Sequence, residues 1–164
     1  MKASNLQELY ISELRDLYSA ETQLTEALPK MAKAASHSHL KDAFTSHLKE
    51  TRGQIERLEM IFTKLGVSPK GKTCKAMQGL ITEGEEMIKE TEEATRDAGL
   101  ISAAQRVEHY EMAGYGTVRT YANQLGDRDA EKLLQMTLDE EGKADKKLTA
   151  LAESVCNLEA AHAH

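Results

Sequence analysis

Little in this sequence bends, breaks or cross-links a chain. Two prolines and ten glycines in 164 residues leave few places for irregular backbone, since proline removes an amide donor and glycine is costly inside regular structure. Two cysteines, Cys74 and Cys156, are too few for a disulfide framework, and nothing around them marks a metal-binding pair. No apolar stretch reaches 18 residues, so no membrane-spanning helix is expected. The opening Met1-Lys2-Ala3-Ser4-Asn5-Leu6 lacks the apolar run of a signal peptide. A net charge of −6 excludes the basic stripe of a general nucleic-acid surface. The alternation of a half-buried strand is missing, as are a Ser/His/Asp set, a phosphate-cradling loop and a zinc-type cysteine cluster. The expectation is a soluble, cytoplasmic protein whose residues 1–164 form one domain.

What is present is helix. Ala, Leu, Glu, Lys, Gln and Met are abundant, and all favour it. Leu6, Tyr10, Leu14, Leu17, Glu21, Leu24, Leu28 and Met31 recur every three or four residues, predicting a first helix from Ser4 or Asn5 to about Ser36. Pro29 is expected to kink its last turns. A second helix follows from about Leu40 to Leu65, with the stripe Leu40, Phe44, His47, Thr51, Gln54, Leu58 and Ile61, and Gly66 stops it. The shorter amphipathic segment from Cys74 to about Glu93 reads as a crossover. Asp97 is expected to cap a fourth helix ending near Leu125 and Gly126, and Asp127 or Asp129 to open a fifth reaching about Cys156. The end from Glu159 to His164 should fray. Two antiparallel hairpins joined by a crossover describe an all-α, ferritin-like four-helix bundle with an additional short crossover helix. A plain up-and-down bundle with one extra helix is the alternative that element order leaves open.

Every long helix carries acid in the middle of its apolar stripe: Glu21, Glu50, Glu108 with Glu111, and Glu141. If the first hairpin folds around residue 36, Glu21 mirrors to about residue 51, beside Glu50; folding around residue 126 pairs Glu111 with about residue 141. At about 1.5 Å per residue, these acids lie roughly 20–27 Å from their own turns. A carboxylate directed into a core is costly unless paired or neutralised, so acids converging at one level point to a bound pair of metal ions. Their hard oxygens suit iron, manganese or magnesium. The competing reading makes them boundary residues, paired with bases such as Arg52, Arg106 and Lys143 or turned to water.

The segments Tyr18-Ser19-Ala20-Glu21-Thr22-Gln23-Leu24, His47 to Leu58, Val107 to Thr117 and Asp139 to Asp145 resemble the YciE/YciF family of bacterial ferritin-like stress proteins, over nearly the whole chain. The resemblance implies a ferritin-like bundle, often dimeric, tied to stress responses and without a well-defined catalytic activity. By analogy with carboxylate-bridged bundles, Glu50 and Glu141 look like bridging ligands of two divalent ions, iron or manganese, and Glu21 and Glu108 like terminal ones. Ferritin-like di-iron sites usually carry E-x-x-H on two helices. Here Gly53 and Ala144 stand where those histidines would be, and His47, Gln54, Glu111 and Asp145 are the nearest substitutes.

Two functions follow. One is a stress protein that handles metal or reactive oxygen species. The other is a non-catalytic stress protein acting through dimerisation or partner binding, with a vestigial metal site. A homodimer is expected, from the resemblance and from the frequency of two-fold assemblies; nucleic acid and membrane are not expected partners. His37, His39, His162 and His164 read as solvent-facing, and His109 and Tyr110 as turned away from the acids. Tyr115 lies on the inward stripe, either as a core residue or as a donor to a ligand carboxylate.

Overall fold

The computed structural model describes residues 3–163. Its helices are α1 (Leu6–Ala34), α2 (Ser38–Leu65), α3 (Lys75–Glu90), α4 (Glu93–Gln124), α5 (Arg128–Leu151) and α6 (Asn157–Ala161), with a π-helical turn, Ala152–Cys156, joining the last two. Local chemistry sets most of the ends. The Asn5 side chain accepts from the Glu8 amide at 2.9 Å, and the Glu8 carboxylate accepts from the Ser4 amide at 2.8 Å. This reciprocal pair satisfies donors that the first turn would otherwise leave open. Gly66 ends α2 with a φ of 67° that L side chains rarely adopt, and Gly126 plays the same part after α4 at 79°. Asp127 caps α5 by accepting from the Ala130 amide at 3.1 Å. Pro29 lies inside α1, which continues as helix to Ala34.

Two expected ends are corrected. The fourth helix starts at Glu93, not at Asp97, which lies within it and is buried. Its carboxylate accepts from the Ser36 amide at 2.8 Å and the His37 amide at 2.7 Å, tying the turn between α1 and α2 to α4. Such a bond to a charged acceptor contributes about 1.5–3 kcal/mol. Asp97→Ala should therefore cost about 2 kcal/mol or more in a denaturant melt; a loss under half a kilocalorie would show that the turn docks without it. The chain end is the second correction: helix continues through the π turn and α6 to Ala161, where fraying was expected, while His164 lies outside the described residues.

The bundle is a square in which α1 borders α2, α2 borders α5, α5 borders α4, and α4 borders α1. Two apolar layers fix the directions. One holds Tyr10, Leu14 and Leu17 of α1 with Leu58, Ile61 and Phe62 of α2, Tyr115 and Val118 of α4, and Ala130 and Leu134 of α5. The other holds Leu24, Leu28 and Met31 with Leu40, Phe44, Leu100, Ala104 and Leu148. Neighbouring helices are thus antiparallel, and the diagonal partners α2 and α4 run the same way. Only a crossover can join parallel helices, and α3 supplies it, packing on α1 and α4 through Met77, Leu80, Ile81 and Ile88. This is the ferritin-like arrangement, and it settles against the up-and-down alternative. Gly114 brings α4 close to α1, for a Cβ there would lie 2.7 Å from Leu17 Cδ2. No helix among the described residues is long and apolar enough to cross a membrane.

Candidate metal centre

Between the two apolar layers lies a polar one. Each long helix contributes to it from the centre of its inward stripe: Glu21 from α1, His47, Thr51 and Gln54 from α2, Glu108 and Glu111 from α4, Thr137 and Glu141 from α5. All are buried. The acids sit at mid-height for the reason the turn positions predict, with apolar turns above and below.

Glu141 is the hub. One of its oxygens accepts from the Gln54 amide, and the other lies 3.5 Å from His47 Nε2. His47 Nε2 also lies 3.3 Å from Glu108 Oε1. On the α1 side, the Tyr115 hydroxyl donates to Glu21. One ligand atom from each of His47, Glu108, Glu111 and Glu141 falls within 4.8 Å of the other three. These four side chains can hold a metal ion.

The electrostatics are compatible with one. Burial pushes the carboxyls of Glu21, Glu108 and Glu111 well above the ordinary carboxylate range, and the charge of Glu141 pushes them further. Burial alone would lower His47, but its hydrogen bond to Glu50 and the charge of Glu141 outweigh that and raise it. Several buried atoms have no hydrogen-bond partner: both oxygens of Glu111, one each of Glu21, Glu108, Glu141 and Gln54, and His47 Nε2. Native structures leave few such atoms. Ligand atoms of His47, Glu108, Glu111 and Glu141 converge here, in lone-pair donors that suit a hard divalent cation.

The structure brings six of the eight sequence candidates into this layer and leaves two at its edge. Glu50 follows His47 by three residues, which turns it about 60° off the stripe. Its side chain is 44 % exposed, and it reaches His47 Nδ1 at 3.2 Å. It therefore stands behind the histidine, where it holds Nε2 toward Glu108 and Glu141 in the way outer carboxylates orient ligating histidines. Asp145 is half-buried on the flank of α5 facing α4, 3.1 Å from Gln105 Nε2 and 3.4 Å from His109 Nε2. Arg52 and Arg106 are exposed and make no ion pair with these acids.

The base that sequence reasoning missed is Arg57, whose guanidinium clasps Glu140 at 2.6 and 2.7 Å and donates to Thr137 at 2.9 Å. Glu140 also accepts from Gln54 at 3.2 Å, so this pair closes the α2–α5 side of the layer toward the Leu58 end. Tyr110 does face away, into a separate cluster in which it donates to Asp16 at 2.5 Å and meets Cys74 Sγ at 3.0 Å.

A family model described as "Domain of unknown function (DUF892)" matches residues 5–161. The chain belongs to the DUF892 family. Within curated proteins, this DUF892 chain is 49 % identical over 162 residues to protein YciF of Escherichia coli (strain K12), covering 98 % of each. The crystal structure of the E. coli stress protein YciF superimposes with a TM-score of 0.91 at 50 % identity, over 94 % of this chain and 99 % of that one. YcfI from Rhodopseudomonas palustris gives 0.86 at 44 % identity, over 89 % and 94 %. A protein from Xanthomonas campestris pv. campestris gives 0.74 at 21 % identity over 94 % of each chain, which shows the shared DUF892 fold alone. The resemblance to the YciE/YciF family read from the sequence is thereby shown.

Proposed function

We propose that this protein is a cytoplasmic stress protein whose polar layer holds two divalent ions, iron or manganese, and that it handles metal or reactive oxygen species as a homodimer. The stress role is carried over from the relative described as a stress protein. The observation that supports the metal reading most directly is the set of buried, partnerless ligand atoms on four different helices. His47, Glu108, Glu111 and Glu141, with Glu21 beside them, would hold the ions. Gln54 and Tyr115 hold Glu141 and Glu21 in place by donating to them, and Arg57 with Glu140 keeps water from that side. A bound iron or manganese pair would supply one-electron exchange. The chain's part is to gather the carboxylates in one layer, orient His47 through Glu50 and limit access to small species.

Elemental analysis of protein purified without chelators, then loaded anaerobically with ferrous or manganous ions, tests this reading. Close to two ions per chain are expected. Less than a tenth of an ion after loading would sink it and favour the partner-binding alternative, which the missing second histidines at Gly53 and Ala144 would then explain. Light scattering on the same sample should give about twice the 18.2 kDa chain mass; a monomer at high concentration would remove the dimer.

A further inference from the structure

A cleft of about 90 Å³ opens between α2 and α5 and reaches His47 and Glu108 of the polar layer. Its floor is His47 and Glu108; its rim carries Glu50, Lys143, Ala144 and Lys147. The space is enough for several waters. Burial deepens inward from it, from 6 % exposed at His47 to 2 % at Glu108 and 0 % at Glu111 and Glu141. Two other clefts do not lead there: the one beside α4 and α6 is lined by Gln105, Arg106 and His109, and that between α1 and the loop after α2 by Arg15 and Lys72. Neither reaches any of the four ligand side chains.

We propose that divalent ions enter the polar layer through this cleft, and that Glu50 on its rim captures the hydrated ion ahead of His47 and Glu108. The proposal rests on the metal reading above and adds the route. Glu50 suits capture because it is the partly exposed acid of this cleft, with Glu108 and His47 on the floor beneath it. Inside, Glu21, Glu108, Glu111 and Glu141 attract a cation. At the rim Lys143 and Lys147 oppose it. That opposition gives the route a signature in charge: neutralising the acid and neutralising the lysines must change the entry rate in opposite directions.

Stopped-flow uptake of manganous ion by the metal-free full-length protein, followed with a competing metal-sensitive dye, reads this directly. Glu50→Gln keeps an acceptor for His47 Nδ1–H and should slow uptake roughly three- to ten-fold at low salt, while Lys143→Gln with Lys147→Gln should speed it by a similar factor. Both effects should shrink toward 0.15 M salt, where the screening length is about 8 Å. Lys146→Gln, on the same helix but outside the cleft, is the control for net charge and should act much less than the rim pair. Ala144→Trp, which fills the cleft, should slow uptake without lowering the final amount bound. If the parent protein fills and all these variants fill at its rate, the route is wrong while the metal site stands. If the lysine pair behaves like Lys146, the cleft is not the entrance. If the parent takes up no manganese at all, the metal reading itself falls and the route falls with it.

Discussion

Replacing Glu111 by glutamine is expected to stabilise the metal-free protein and to weaken the metal-loaded one. Glu111 is fully buried, both of its oxygens lack a partner, and Glu21, Glu108 and Glu141 all bear on it electrostatically. Without metal, an amide cannot ionise among these acids and brings two donors to neighbouring carboxylates. Relief of a buried polar group that lacks partners is worth about 1–3 kcal/mol, which for a chain of this size shifts the melting midpoint upward by several degrees. With metal, the same change deletes a ligand. A bound ion at a hundred times its dissociation constant adds about 2.7 kcal/mol to stability, and the variant forfeits most of that. Glu141→Gln should behave alike and lose more metal, since Glu141 borders His47, Glu108 and Gln54 together. Thermal melts with and without manganese show the reversal of sign. Should both variants destabilise the metal-free protein and leave metal content unchanged, these acids are paired structurally and hold no ion.

The second large effect is in pH. Glu21, Glu108 and Glu111 carry carboxyls raised well above their ordinary value of 4.5. The folded chain therefore binds more protons than the unfolded chain above that value, and stability declines as pH rises. His47, raised above its ordinary 6.5, adds the same trend: its contribution is complete below that value and is lost as pH climbs through its folded one. Below about 4.5 the trend reverses, because Asp16 and Glu50 are held below the ordinary range and their contribution is lost on protonation. Metal-free protein should thus be most stable near pH 5 and melt progressively earlier toward pH 8. Metal must displace protons from the same groups, so loaded protein should gain stability over that interval. Parallel pH profiles for the two forms would show that the acids are not the dominant titrating groups.

Much of the bundle was legible because its determinants are local. Gly66, Gly126, Asn5 and Asp127 each fix an end through their own backbone or side chain, and the stripes place the acids at one height. What escaped was tertiary. Asp97 has the side chain of a cap, but its partners are the amides of Ser36 and His37, about 60 residues earlier in the chain. Arg57 and Glu140 lie on different helices 83 residues apart, so no i, i+4 pattern announces them. Glu50 and His47 were separable in principle, since the helical wheel puts the histidine on the stripe and the acid on its flank. Analogy to bridging glutamates placed Glu50 first and His47 among the substitutes. Asp145 shows the limit of the same wheel: the core line of α5 runs through Ala130, Leu134, Thr137, Glu141 and Leu148, leaving Asp145 to face α4.

The stacking of a polar layer between two apolar ones also bears on how the chain finds a single alignment. Leucine-lined helices of this length slide past one another at little cost, because each turn offers much the same surface. Shifting α5 by one turn, about 5.4 Å, would carry Glu141 out among leucines and leave Gln54 and His47 without it. A buried carboxylate stripped of its partners costs several kilocalories per mole. The acids that weaken the metal-free bundle therefore act as its registration mark, and leucine at all of Glu21, Glu108, Glu111 and Glu141 would remove the feature that distinguishes one helix alignment from the next.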